Sequence, residues 1–102
     1  MKDIHPIFTV FKNELSDISE KYNELGREIH TNGGPLDEKT RWLIKVSLSA
    51  ASRHRKSLET HIAKARACGV SEEELRHALL LLITTCGFPT FMEAYETLKE
   101  ST

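Results

Sequence analysis

The 102 residues suit one domain, and a chain of this length buries about two-thirds of its unfolded surface, enough for a single core. A net charge of −1 creates no field to attract nucleic acid or anionic lipid, and 39% hydrophobic with 28% charged residues is an ordinary soluble composition, slightly short of core, for which self-association would help. No apolar run approaches the roughly 18 residues of a membrane span, Met1-Lys2-Asp3-Ile4-His5-Pro6 lacks the apolar segment of a signal peptide, and the cytoplasm is the expected compartment.

Phe8, Phe11, Leu15, Ile18, Tyr22, Leu25 and Ile29 recur in steps of three and four, which predicts one helix over residues 6–30. Pro6 suits its first turn, Asn32-Gly33-Gly34-Pro35 ends it, and Gly26 weakens it by about 1 kcal/mol relative to Ala. A stripe this regular is expected to lie across its own domain and a partner subunit. Asp37 is the expected N-cap of a second helix, with Glu38 favourable in its first turn. From Trp42 to Ala51 nearly every residue is apolar or small, as in a central buried helix, with Lys45 as the exception that should reach solvent or a partner.

Ser52-Arg53-His54-Arg55-Lys56 interrupts that pattern. Ser52 can cap a third helix bearing Leu58, His61, Ile62 and Ala65 on one face, although the sequence also permits the second and third helices to be continuous. Gly69 ends the third helix, and Ser71-Glu72-Glu73-Glu74 is a capping box ahead of Leu75, Ala78, Leu79, Leu82, Ile83 and Cys86. Gly87 stops that stripe, and Pro89 opens a last helix with Phe91, Ala94, Tyr95 and Leu98 inward. No alternating strand pattern is present, so the expected fold is all-α, a single domain of about five helices over residues 1–102.

The chemical candidates cluster between Trp42 and His61. His54, Ser57 and His61 fall on one helical face, and the four-residue step from Ser57 to His61 would let a nucleophile and a base touch. His54 and His61 lie about 11 Å apart by helical rise, too far to share a metal, and no metal site is expected. His61 on an apolar face reads either as a buried, hydrogen-bonded core histidine or as a general acid or base tuned by partial burial. Arg53, Arg55 and Lys56 either neutralise the end of the second helix or hold an anion. Trp42, the single tryptophan, is a core or interface residue or a pocket wall. Cys68 and Cys86 have neither redox nor metal-ligand spacing and read as two half-buried thiols. His5, His30 and His77 read as surface residues.

Four features in order, Leu36-Asp37-x-Lys39-Thr40-Arg41, Leu58-x-x-His61-Ile62-x-x-Ala65, Gly69-Val70-Ser71-x-Glu73-Glu74-Leu75 and Leu79-Leu80 leading to Cys86-Gly87-Phe88-Pro89, resemble the carboxymuconolactone decarboxylase-like family, which includes the alkylhydroperoxidase D group. The match covers about three-fifths of the chain. The resemblance implies an all-helical unit, a break between the second and third helices near Ser52, and assembly into a trimer, hexamer or similar ring. The peroxidase branch of that family uses a Glu, a C-x-x-C pair and a His. Aligned on His61, those positions hold Trp42, His54 and Ser57, so ordinary thiol–disulfide chemistry is not expected. The decarboxylase branch has Leu before the same His, as Leu58 here, but its second His and its Tyr correspond to Leu81 and Thr85.

The resulting expectation is cofactor-free acid–base chemistry, decarboxylation or lactone isomerisation, centred on His61, with His54 and Ser57 beside it and with Arg53, Arg55 and Trp42 binding a small carboxylic acid. The alternative is a non-catalytic binding or assembly module that kept the fold. A peroxidase or disulfide reductase is a third and weaker reading.

Overall fold

The computed structural model describes residues 4–102, which contain seven helices and no strand. They are α1 (Pro6–Glu14), α2 (Ser16–Asn32), α3 (Glu38–Ala51), α4 (Arg55–Ala67), α5 (Glu72–Leu80), α6 (Ile83–Cys86) and α7 (Phe88–Glu100). The all-α expectation holds, and the two additional helices come from two local breaks. Among the described residues no helix is long and apolar enough to cross a membrane.

The first break divides the N-terminal helix. Leu15 adopts φ −126°, ψ 52°, outside the helical region, while its N–H still bonds to the Phe11 carbonyl and its carbonyl accepts from Ser19. The second break is milder. Leu81 and Leu82 keep right-handed helical angles, but Leu82 N–H bonds to Leu79 O and Thr85 N–H to Leu82 O, so the turn tightens to the three-residue pattern of a 3₁₀ helix.

The chain forms two compact units, one ending at Leu36 and the other running from Asp37 to Thr102. In the first, α1 packs on α2 and Ser19 is buried. Phe8 and Phe11 are half-buried, but the continuation of their stripe is not covered: Ile18 is 59%, Tyr22 66%, Leu25 57% and Ile29 59% exposed.

The second unit holds the core, built from Val46 and Ala50 of α3, Leu58, Ile62 and Ala65 of α4, Val70, Leu75 and Leu79 around α5, Leu82, and Phe91, Ala94 and Leu98 of α7. The predicted inward faces of α4, α5 and α7 are therefore recovered. α3 is less enclosed than its composition suggests, because Ile44 and Leu48 remain exposed while Val46, Ser49 and Ala50 face the core. Cys68 is half-buried, but Cys86 is exposed, contrary to the expectation for both thiols. His77 is exposed as expected, whereas His5 and His30 are half-buried.

Local chemistry sets each boundary. The Asp37 side chain accepts from Thr40 N–H at 2.8 Å and caps α3. Ser71 and Glu74 form the reciprocal capping box of α5. At the end of α4, Gly69 N–H bonds to Arg66 O and Val70 N–H to Ala65 O, with Gly69 at φ 95° and Val70 buried. This is a Schellman turn with its apolar contact.

The α3–α4 junction repeats that geometry without a glycine. Ser52 is the C-cap of α3, not the N-cap of α4 that its sequence position suggested. Arg53 N–H bonds to Ala50 O and His54 N–H to Ser49 O, which places Arg53 in the left-handed region at φ 58°. L-residues pay for that conformation through crowding of Cβ against the carbonyl. Arg53 compensates in part by pairing with Glu93 on α7, its Nε donating at 3.0 Å and its Nη2 donating to the other carboxylate oxygen. The pair is exposed and contributes little by itself.

Arg66 joins three elements. It donates twice to Glu72 at 2.7 Å, and its Nη1 donates to the carbonyl and hydroxyl oxygens of Ser101 at 3.0 and 2.9 Å. The end of α4, the start of α5 and the end of α7 therefore converge on one guanidinium.

Because both changes remove the Glu93 pair and differ only in backbone freedom, R53G is expected to melt above R53A, by a shift on the order of a few degrees. Thermal unfolding followed by circular dichroism checks this. Equal melting temperatures would show that the left-handed conformation carries no cost here.

Candidate functional site

The three-and-four spacing of a helix places Trp42, Lys45 and Ser49 along one face of α3, and His61 and Lys64 along one face of α4. The two faces meet. His61 Nδ1 lies 2.6 Å from Ser49 Oγ and 3.2 Å from the Lys45 carbonyl oxygen, while Ser49 Oγ donates to that same carbonyl at 2.9 Å. Ser49 is buried and His61 half-buried.

A carbonyl can only accept, so both it and a serine that already donates to it are satisfied when Nδ1 carries the proton. The neutral imidazole then has its lone pair on Nε2. The polar environment of α3 thus selects one tautomer and fixes the ring plane, as a group positioned for proton transfer requires.

The indole of Trp42 packs against the core and faces the imidazole, with ring centroids 5.9 Å apart and planes tilted by 47°. Two ammonium groups lie close to the same indole, Lys45 Nζ at 5.5 Å and Lys64 Nζ at 5.3 Å from its centroid. Partial burial, and then the charge of Lys64, hold the Lys45 ammonium below the ordinary lysine pKa.

The other candidates lie elsewhere. His54 precedes α4 with φ −94° and ψ 89°, is exposed, and makes no side-chain cap. Arg53, His54 and Arg55 line a cavity of about 210 Å³ together with Leu58, Glu93 and Thr97, and neither His61 nor Trp42 lines it. That volume is small for a ligand pocket.

The arginines there have internal carboxylate partners: Arg53 pairs with Glu93, and Arg55 with Glu100 and Glu59. Glu93 is held below the usual carboxylate range chiefly by its hydrogen bond from Arg53. Ser57 is half-buried, but the serine that holds His61 Nδ1 is Ser49. The structure therefore separates the predicted constellation: His61 and Trp42 stand together, while Arg53, His54 and Arg55 belong to a different surface.

Both cysteines are free thiols, and Cys68 Sγ donates to Ala65 O at 3.3 Å. Among the described residues no three His, Cys, Asp or Glu side chains are grouped to hold a metal.

Sequence reasoning missed Ser49 and Lys64, and marked Lys45 only as an exception that should reach solvent or a partner. The signal was present in the 42/45/49 and 61/64 spacings, but it becomes readable only once α3 and α4 are known to pack with these faces together.

The sequence profile of the carboxymuconolactone decarboxylase family matches residues 16–100. The chain belongs to that family. It is similar to an uncharacterised protein of Methanocaldococcus jannaschii, 27% identical over 92 residues that span 89% of this chain and 88% of the relative. Among solved structures it resembles the apo form of a carboxymuconolactone decarboxylase family protein from Legionella pneumophila, with a TM-score of 0.82 and 26% identity over 95% of this chain and 86% of the other.

For this family member, S49A is expected to lose the fixed imidazole tautomer and about 1–2 kcal/mol of stability, because a buried partner of Nδ1 is removed. Long-range ¹H–¹⁵N correlation of the histidine rings should give a protonated Nδ1 for His61 in the wild type and a tautomer mixture in the variant. An unchanged tautomer in S49A would remove Ser49 from this role.

Proposed function

We propose that the protein is a cofactor-free acid–base catalyst acting on a small organic carboxylate, with His61 as the proton-transfer group. The observation that carries this reading is the double anchoring of His61 Nδ1 by Ser49 and the Lys45 carbonyl, which holds a half-buried imidazole in a fixed plane. Family membership supports it through the decarboxylase branch, whose chemistry requires neither a redox pair nor a metal.

Two reactions fit. In lactone isomerisation, Nε2 takes a proton from carbon next to a carbonyl or conjugated double bond. The electron pair delocalises, and the imidazolium returns the proton to a different carbon. In decarboxylation, Nε2 first takes a proton from solvent; the carbon–carboxylate bond then breaks, its electron pair moves into a conjugated carbonyl, carbon dioxide leaves, and the imidazolium protonates the vacated carbon and returns to neutral imidazole. Neither sequence has a net redox change, and in both the anchored Nδ1 makes Nε2 the nitrogen that exchanges the proton.

The active form is a homo-oligomer in this proposal. The α2 stripe of Ile18, Tyr22, Leu25 and Ile29 exposes large apolar side chains at helical spacing, a surface suited to another copy of the chain. The same stripe also favours the second reading, an assembly module without chemistry, which would keep the oligomer and turn over nothing.

H61Q is expected to lower turnover of small lactones and keto acids by at least about 100-fold with helix content unchanged, the usual scale for removal of a general acid or base. Full activity in H61Q would end the catalytic reading. Separately, I18K and L25K, which place charge in the stripe, are expected to shift the protein to monomer in analytical ultracentrifugation, and an unchanged mass would place the subunit interface elsewhere.

A further inference from the structure

The first unit carries a polar groove of about 500 Å³ along α1 and α2. Lys12 and Asn13, at the end of α1, line one part of it, and Ser16, Ser19, Glu20, Asn23 and Arg27 of α2 line the rest. That volume lies within the range of small-molecule sites. The α2 residues recur in steps of three and four and therefore share a helical face. Ile18, Tyr22, Leu25 and Ile29 recur on the opposite face, so the groove is separate from the apolar stripe assigned above to a second copy.

Ser19 sets this groove apart. It is 5% exposed and is the buried residue of α2, while large apolar side chains of the same helix are open to solvent. Its hydroxyl makes no hydrogen bond among the described residues, although a helical serine has a carbonyl within reach one turn back, as Ser47 and Ser49 show on α3. A buried hydroxyl without a partner is unfavourable, and alanine would fill the same space with better helix propensity. A partner that enters through the groove accounts for the serine. The charged groups of the lining are likewise uncommitted: among the described residues Lys12, Glu20 and Arg27 form no ion pair, whereas Arg53, Arg55 and Arg66 each have a carboxylate partner.

We propose that the groove binds a small phosphorylated polyol. Lys12 and Arg27 supply the cations for phosphate, and no bonded carboxylate competes for either. Asn23 both donates and accepts, as a sugar hydroxyl requires, and Ser19 does the same at the buried floor. Glu20 accepts from ligand hydroxyls and repels an anion beside it, so neutral hydroxyl groups flanked by negative ends fit the lining best. Lys12 and Arg27 are at most about 22 Å apart along the helical path, a span that their long side chains shorten, so a polyol with a phosphate at each end suits both. The groove shares no residue with the His61 cluster, and its assignment is independent of the acid–base reading.

Isothermal titration calorimetry of the full-length protein with fructose 1,6-bisphosphate tests this, at constant ionic strength and with sodium phosphate and sorbitol as references. The bisphosphate is expected to saturate, inorganic phosphate to bind at least about tenfold more weakly, and sorbitol to give no saturable heat. K12Q and R27Q, both at exposed positions that leave the fold intact, should each weaken bisphosphate binding at least about fivefold, S19A should weaken it about tenfold, and H61Q should bind as the wild type does. Because Ser19 has no protein partner, ligand-free S19A is expected to melt no lower than the wild type, which separates a lost ligand contact from a damaged fold. Absence of saturable binding, equal affinity for sorbitol, or unchanged affinity in S19A, K12Q and R27Q would overturn the proposal. So would a lower melting temperature for S19A, since the hydroxyl would then serve the protein's own packing.

Discussion

The packing of α3 on α4 is the constraint from which the rest follows. Val46 and Ala50 enter one core cluster with Leu58, Ile62 and Ala65, and Val46, Ile62 and Ala65 are wholly inaccessible to solvent. Each large aliphatic side chain buried there is worth about 1.5–3 kcal/mol, against about 1 kcal/mol for a typical hydrogen bond. Apolar burial therefore decides where the two helices lie. The Ser49–His61 hydrogen bond, formed inside that arrangement, decides how the imidazole is oriented. The turn that returns the chain from α3 to α4 is short, and it holds Arg53 in a conformation that most sequences reserve for glycine.

Much of this architecture was legible in the residues. Ser71-Glu72-Glu73-Glu74, Gly69 and Asp37 mark helix boundaries through hydrogen bonds made within four residues, and the structure realises each of them. The inward faces of α4, α5 and α7 follow from period alone. What periodicity could not reveal was the break at Leu15, because the apolar steps continue across it without interruption. The role of Ser52 was also hidden: a serine near a helix junction suits either side, and the left-handed Arg53 that decides the matter has no sequence signature.

The site was legible only in part, for a similar reason. His61 and Trp42 could be singled out one at a time, and the structure brings them together. Arg53 and Arg55 looked like anion ligands because the carboxylates that meet them, Glu93 and Glu100, are 40 and 45 residues away. Long-range ion pairs leave no local pattern, and neither does the meeting of Lys64 with Lys45 at the Trp42 ring. Ser49 was hidden in an apolar run, where a small residue is expected for packing and its hydroxyl attracts no notice. In each case the missing information was which helix faces which.

Arg66 links stability at one end of the second unit to order at another. Its donors are shared between Glu72, in the first turn of α5, and Ser101, just beyond α7. Unravelling the terminal turn of α7 would leave this guanidinium with half of its partners, and releasing the first turn of α5 would remove the other half. Slow amide exchange should therefore be lost jointly at these two places, which are distant in the chain, so that the last turn behaves as part of the folded interior rather than as a frayed tail.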